Sequence, residues 1–151
     1  MFKDINDENE MKQFGEKLGA SLCGGEIIEL VGDVGAGKTT LTKGIAAGLG
    51  VKDNVQSPSF TISRVYEGRD DLIMAHYDFY RLGDAGIMGN ELDESMSEPG
   101  TVTIIEWANV VGGILPDDRL SINIMTLSED SRRLVILAGG EKSRSLIERL
   151  K

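Results

Sequence analysis

The segment at residues 32–39 fits the phosphate-binding loop pattern G-x-x-x-x-G-K-[ST] at every fixed position. The stretch before it, residues 26–31, is short and largely apolar and β-branched, and it therefore predicts a buried strand. The stretch after it, residues 40–49, carries apolar side chains at the spacing of a helix with one buried face. A strand, a loop of this type and a helix in this order predict an α/β fold around a central sheet.

The residue types in this loop suit phosphate binding. Glycines at positions 32, 35 and 37 allow the backbone to curl so that its N–H groups face phosphate oxygens, and the next helix directs its positive dipole end towards the same anions. We expect Lys38 to contact the β- and γ-phosphates and the Thr39 hydroxyl to bind Mg²⁺. The predicted nucleotide-binding residues of the loop and its exit are Gly32, Asp33, Val34, Gly35, Ala36, Gly37, Lys38, Thr39 and Thr40.

Composition limits the classes of protein to consider. A chain of 151 residues is long enough for a sizeable core, so we predict one domain over residues 1–151. The net charge of −9 argues against broad nucleic-acid binding, which depends on lysine and arginine clusters. Because neither a run of about 18 apolar residues nor a signal peptide is visible, we expect no membrane span and a cytoplasmic location. The single cysteine, Cys23, follows a predicted helix and is expected to be a buried or half-buried thiol rather than a nucleophile.

Periodicity and turn residues predict the remaining elements. A helix over 7–22 begins at a capping pair, Asp7 and Glu10, and ends at two glycines. Strands are predicted at 62–66, 72–79, 101–105, 120–124 and 134–137, and a terminal helix at 141–151. Residues 83–100, rich in glycine and acidic side chains, predict a broken helix or a loop. Because several strands are close in sequence, we expect a mixed, partly antiparallel sheet in a P-loop NTPase-like three-layer sandwich.

Two acidic residues at predicted strand ends are candidates for the metal-holding carboxylate that turnover at a phosphate loop requires. Glu106 follows the strand at 101–105, and Asp78 lies near the end of the strand at 72–79. Thr61 lies in a hydroxyl-rich segment where GTPases carry a switch loop, whose threonine senses the γ-phosphate through Mg²⁺. The predicted catalytic residues are Lys38, Thr61, Asp78 and Glu106, and the predicted metal ligands are Thr39 and Glu106.

Three further side chains each have two interpretations. Trp107, the only tryptophan, either fills the core or covers the nucleotide site. His76, the only histidine, alternates with Asp78 along one strand, so both side chains point to the same face. This histidine is either a hydrogen-bonded structural residue or a catalytic base. Arg81 either neutralises phosphate charge or pairs with an acidic side chain on the surface.

Four segments together resemble the TsaE family of small bacterial ATPases. They are residues 32–39, 57–61, 76–82 and 105–107, in this order and at this spacing. The resemblance implies a cytoplasmic ATPase that uses ATP and Mg²⁺ and supports formation of threonylcarbamoyladenosine on tRNA. It also implies TsaD and TsaB as partner subunits, of which TsaD makes the modified base. This chain would not itself modify tRNA, which agrees with its acidic composition.

The resemblance also implies roles for individual residues. The family's motif residues correspond here to Lys38, Thr39, Thr61, Asp78, Glu106 and Trp107. Glu106 resembles the family's Mg²⁺-associated acid. The chain departs from the family pattern at Ala108, where proline often follows the tryptophan, and over 84–100, which is unusually rich in glycine, methionine and acidic residues.

Two other functions remain open on the residues alone. A small-molecule or nucleoside kinase uses the same loop but usually also needs an arginine-bearing lid, and the paired Arg132 and Arg133 lie in a predicted hairpin turn. A nucleotide-dependent binding switch would bind without meaningful hydrolysis. The chain lacks the N-K-x-D motif that reads guanine, which favours ATP over GTP. Because no arginine-rich lid is visible, we expect weak hydrolysis by the isolated chain and stimulation by a partner.

Overall fold

Strands and helices alternate along most of the computed structural model, which describes residues 1–58, 60–83 and 86–151. The strands are β1 (Phe2–Ile5), β2 (Ile27–Val31), β3 (Ser63–Glu67), β4 (Ile73–Asp78), β5 (Thr101–Glu106), β6 (Leu120–Thr126) and β7 (Arg132–Ala138). The helices are α1 (Glu8–Ala20), α2 (Lys38–Leu49), α3 (Ile87–Ser97) and α4 (Glu141–Leu150), with short 3₁₀ turns at Arg69–Asp71 and Ala108–Val111. Within these described ranges, no helix is long and apolar enough to cross a bilayer.

The strands form a mixed sheet in the order β1-β7-β6-β2-β5-β4-β3. The four central strands, β6, β2, β5 and β4, are parallel neighbours, whereas β3, β7 and β1 pair antiparallel at the two edges. The predicted mixed sheet is therefore confirmed. Because β2, β4 and β5 run in the same direction, their carboxyl ends lie at one edge of the sheet, where ligands bind in open α/β folds.

The sheet buries an apolar face on each side, because successive side chains of a strand point to opposite faces. Ile28 and Ile104 belong to the core on the side of α1, α2 and α4. Ile27 and Ile105, one residue away in each strand, belong to a second core with α3 and the Ala108–Val111 turn. Helices thus cover both faces, which confirms the predicted three-layer arrangement.

Four features differ from the sequence-based expectation. β1 was not predicted, and it pairs with β7 in the register Phe2↔Val135. The stretch at 83–100 contains the regular helix α3, with residues 84 and 85 of that stretch outside the described ranges. Arg132 and Arg133 begin β7 rather than lying in the turn before it. Cys23 is exposed, so the expectation of a buried or half-buried thiol is wrong, because the helix ends before it and the chain is in a loop there.

The contact between helices α1 and α2 accounts for four of the 19 glycines. Gly15 and Gly19 of α1 face Gly44 and Gly48 of α2, and a Cβ at any of these positions would collide with backbone atoms of the other helix. This repeated small-residue spacing lets two helix backbones approach closely. The close approach fixes α2, whose first residue is Lys38, against α1.

Replacing Gly48 by alanine should destabilise the protein, although alanine is the better helix former by about 1 kcal/mol. The added Cβ would lie 2.8 Å from the Ala20 nitrogen and closer still to the Glu16 carbonyl oxygen. Because backbone atoms cannot rotate away, we expect a loss of about 2 kcal/mol or more and a fall in Tm of roughly 5 °C. Thermal unfolding, monitored by circular dichroism, measures the change in Tm. Lys43→Ala, at an exposed position of α2, is the control and should leave Tm nearly unchanged. An unchanged or higher Tm for Gly48→Ala would contradict the packing argument.

Candidate functional site

The loop at residues 32–39 connects β2 to α2, as predicted, and turns sharply before the helix. Gly35 and Gly37 have φ angles of 83° and 113°, in the left-handed region that favours glycine. The Ala36 N–H donates to the Asp33 carbonyl at 3.0 Å, which closes the tip of the loop. Gly37 caps α2 and Lys38 is its first residue, so the lysine side chain starts at the positive end of the helix.

The loop and two strand ends enclose a cavity of about 410 Å³. Asp78 at the end of β4 is in register with Glu106 at the end of β5, and Glu106 is in register with Leu30 just before the loop. Both carboxylates therefore reach the cavity below the loop. The lining residues are Val34, Gly35, Gly37, Lys38, Thr39, Thr40, Ser57, Asp78, Tyr80, Arg81, Glu106 and Trp107.

Glu106 is held by His76. The His76 Nε2 lies 2.6 Å from Glu106 Oε2, and both side chains are almost completely buried. Among the residues lining the cavity within the described ranges, His76 does not appear. Its geometry thus favours the structural interpretation over the catalytic base: it holds Glu106 Oε2, while Glu106 as a residue lines the cavity.

Lys38 is turned onto its own loop. Its ammonium group donates to the carbonyl oxygens of Gly32 and Asp33, the latter at 3.1 Å. The same group lies 4.3 Å from the centre of the Trp107 ring, within the range of a cation–π contact. Burial lowers the pKa of Lys38, while the carboxylates of Glu106, Asp78 and Asp33 act in the opposite direction. A polyphosphate in the cavity would offer this cation stronger partners than two carbonyl oxygens.

Trp107 packs against a core and also faces a cavity, so its position is compatible with both of the interpretations that the sequence leaves open. It is half-buried against the core on the α3 side and it also lines the cavity, where its ring lies 4.8 Å from that of Tyr80. Its φ of 55° and ψ of 53° are unusual for a bulky residue. Such a conformation costs about 1–3 kcal/mol and is concentrated at functional sites.

The segment at 57–61 contributes a different hydroxyl from the predicted one. The Ser57 hydroxyl lines the cavity and donates to Asp78 Oδ2 at 3.1 Å. Asp78 Oδ1 accepts the Tyr80 N–H at 2.9 Å, so both oxygens of this buried carboxylate are oriented. Thr61 is exposed and, within the described ranges, does not line the cavity; its sensing role stays a prediction. Ser59 of this segment lies outside the described residues.

The remaining predicted residues divide between two sides of the loop. Gly32 and Asp33 line a second cavity of about 470 Å³, which lies between the ends of β2 and β6 and shares Trp107. Arg81 lines the first cavity, with its guanidinium 4.6 Å from the Phe60 ring. Within the described ranges, no cluster of three His, Cys, Asp or Glu side chains is suited to hold a metal ion by itself.

Sequence reasoning missed several residues at this site. Ser57 and Tyr80 each lie in a segment that the sequence singled out, so the signal was present but pointed to their neighbours. The sequence points to Arg132 only as one of a pair of arginines and gives no sign of its contact: its Nε donates to the Ala36 carbonyl at 3.0 Å from a strand that is almost a hundred residues further along the chain.

Known proteins resemble this chain over nearly its whole length. The model of one family, the threonylcarbamoyl adenosine biosynthesis protein TsaE, matches residues 5–134. The tRNA threonylcarbamoyladenosine biosynthesis protein TsaE of Bacillus subtilis is 38% identical over 150 residues, which cover 99% of this chain and 92% of that protein. The Haemophilus influenzae protein of the same name is 32% identical over 148 residues, covering 95% and 92%.

A solved structure agrees with the sequence relatives. The crystal structure of Bacillus subtilis YdiB superposes with a TM-score of 0.83 at 35% identity and covers 99% of this chain and 93% of that one. The family model, the sequence relatives and the solved structure each match most of this chain. The chain belongs to the TsaE family of tRNA threonylcarbamoyladenosine biosynthesis proteins.

Proposed function

We propose that this protein binds ATP with Mg²⁺ at the 32–39 loop and hydrolyses it slowly, in support of the TsaD–TsaB complex during threonylcarbamoyladenosine formation on tRNA. The observation that carries the proposal is that Lys38, Thr39, Asp78 and Glu106 line the same cavity below the loop. A cation and a helix N-terminus on one side, with two carboxylates on the other, suit a phosphate–metal complex better than either ion alone.

The donors available in the cavity fit Mg²⁺. The Thr39 hydroxyl and the Glu106 carboxylate are oxygen ligands, which this cation prefers, and His76 occupies only one of the two Glu106 oxygens. Mg²⁺ is usually held by one or two carboxylates together with substrate phosphates, so the lack of a larger cluster in the described ranges agrees with this role. When bound, the ion would neutralise phosphate charge. Lys38 would contact the β- and γ-phosphates from the other side.

Asp78 and Thr61 are the two candidates for positioning water or sensing the γ-phosphate. Asp78 already lines the cavity with both of its oxygens oriented. Thr61 is exposed and does not line the cavity in the described ranges, so a sensing role would require its side chain to approach the cavity when nucleotide binds. The cavity lining therefore supports Asp78 as the residue that positions water and leaves Thr61 as the candidate sensor of the γ-phosphate.

The expected stimulation of ATP hydrolysis by a partner follows from the way in which phosphate-loop sites accelerate phosphoryl transfer. Phosphoryl transfer is accelerated by positioning and by charge, and a transition-state arginine is often supplied by another subunit. In the described part of the cavity lining, the arginine present is Arg81. Its side chain is exposed, and its guanidinium contacts the Phe60 ring. In the cytoplasm, this protein would therefore hydrolyse ATP slowly by itself and faster once TsaD–TsaB completes or rearranges the site.

Two measurements test the proposal. ATP should change the emission of Trp107, the only tryptophan, because binding draws the Lys38 ammonium away from its ring. Phosphate release should stay far below about 10 per second for the isolated chain, a typical enzyme rate, and should rise when TsaD–TsaB is added. Turnover at that rate without the complex contradicts the partner dependence, and no emission change together with no calorimetric uptake of ATP contradicts the binding site. Cycling supported equally by a non-hydrolysable analogue would instead indicate a binding switch, and a phosphorylated acceptor would indicate a kinase.

A further inference from the structure

The β6–β7 hairpin is tied to the 32–39 loop by one side chain. Arg132 Nε donates to the Ala36 carbonyl at 3.0 Å. Its Nη1 donates to three carbonyls of the hairpin turn, those of Ser128, Glu129 and Ser131, at 3.0 to 3.2 Å. One planar guanidinium therefore bridges the hairpin turn and the loop by hydrogen bonds, and its rigid shape fixes the angle between the two sets.

The hydrogen bond from Arg132 to the Ala36 carbonyl also orients the N–H of the next residue, Gly37. In a trans peptide the C=O of one residue and the N–H of the next point in opposite directions. The Ala36 carbonyl points towards Arg132, whose Nε donates to it from the hairpin. The N–H of Gly37, which belongs to the same peptide plane, is therefore directed away from the Arg132 guanidinium. Gly37 lies between two concave surfaces: it lines the cavity with Lys38 and Thr39, and it also lines the groove on the hairpin side that contains Arg132.

The peptide between Ala36 and Gly37 needs such a restraint. Gly37 has no side chain and a φ of 113°, so a rotation of this peptide meets little steric resistance. We propose that Arg132 is a positioning residue for phosphate binding: by holding the Ala36 carbonyl, it keeps the Gly37 N–H pointed at the cavity. This inference rests on the proposed function, since it assumes that the cavity takes the phosphates of a nucleotide.

The adjacent arginine offers a matched control. Neighbouring residues of a strand point to opposite faces, and Arg133 pairs with Asp4 of β1 at 2.7 Å on the sheet edge. Arg133→Ala removes the same charge one residue away without touching the loop. Arg132→Lys keeps the charge and the aliphatic stem but loses the planar fork, so its single ammonium cannot serve the hairpin and Ala36 in the same geometry.

The experiment is an ADP titration of the wild type, Arg132→Ala, Arg132→Lys and Arg133→Ala, followed by calorimetry and by the ¹⁵N–¹H signal of Gly37. A hydrogen bond to a charged oxygen is worth about 1.5–3 kcal/mol, so both Arg132 variants should bind ADP about 10- to 100-fold more weakly. The Gly37 amide proton should move downfield with ADP in the wild type and in Arg133→Ala, and much less in the Arg132 variants. Circular dichroism identifies any variant that fails to fold. If Arg132→Ala does not fold, the ADP affinity and Gly37 shift of Arg132→Lys test the positioning role.

The outcomes separate this inference from the proposed function. Folded Arg132 variants with wild-type affinity and a wild-type Gly37 shift would overturn the positioning role and leave the ATP site intact. A loss in Arg132→Ala that Arg132→Lys fully restores would also overturn it, because charge alone would then suffice. If the wild type binds neither ADP nor inorganic pyrophosphate, the proposed nucleotide site itself is wrong, and the inference fails with it.

Discussion

Replacing Lys38 by alanine should abolish ATP hydrolysis and weaken ATP binding by about 100-fold or more. Each hydrogen bond between the ammonium and a phosphate oxygen is worth about 1.5–3 kcal/mol, and we expect contacts to two phosphates. Calorimetry with ATP and Mg²⁺ measures the affinity, and a phosphate-release assay measures the turnover.

The loop should stay folded in this variant, although it loses the hydrogen bonds that the Lys38 ammonium donates to the Gly32 and Asp33 carbonyls. Its tip is closed by the hydrogen bond from Ala36 to Asp33, and the Arg132 guanidinium holds it from the hairpin. Lys43→Ala removes a charge from the exposed face of the same helix and should bind ATP like the wild type. Equal affinities for Lys38→Ala and Lys43→Ala, with both variants folded, would remove Lys38 from the site.

The parts of the fold that the sequence predicted are those with strong local signals. The strand, loop and helix at 26–49 combine an apolar run, a glycine pattern and helical spacing, and the structure has β2, the loop and α2 there. β1 has no such signal, because only Ile5 of its residues is buried and its partner β7 is about 130 residues away. α3 buries only Gly89 and Leu92, which explains why its sequence resembles a loop.

The candidate site shows the same division. Strand ends next to a phosphate loop are few, so Asp78 and Glu106 could be selected from sequence, and the sheet register brings them together. The pairing of His76 with Glu106 depends on two strands being neighbours, which no local pattern gives. Whether Ser57 or Thr61 reaches the cavity depends on the path of an irregular segment, where side-chain direction follows no period. The Arg132 contact joins residues 96 positions apart and has no local signal.

Replacing Glu106 should damage turnover far more than ATP binding. This residue lines the cavity, and its Oε2 is held by His76. Glu106→Gln keeps the size and a hydrogen-bonding oxygen or nitrogen for His76 but removes the charge that would hold Mg²⁺. Since losing one preorganised electrostatic contact commonly costs about 10²- to 10³-fold in rate, we expect a fall of that order and a higher Mg²⁺ concentration for half-maximal turnover. Glu106→Ala should lose at least as much and also some stability, because His76 is then left buried without its partner.

Glu26 provides a control in the same chemical class, since it is another buried glutamate but lies beside the first residue of β2, at the opposite edge of the sheet. It accepts the N–H groups of Cys23 and Gly24 and pairs with Arg149. Glu26→Gln should therefore lower Tm while the turnover and its Mg²⁺ dependence stay as in the wild type. Glu106→Gln should do the reverse, with a modest change in Tm and a large loss of Mg²⁺-dependent turnover. If Glu106→Gln and Glu106→Ala both fold and hydrolyse ATP with unchanged Mg²⁺ dependence, Glu106 is not a metal ligand, and Asp78 becomes the carboxylate that must be tested in its place.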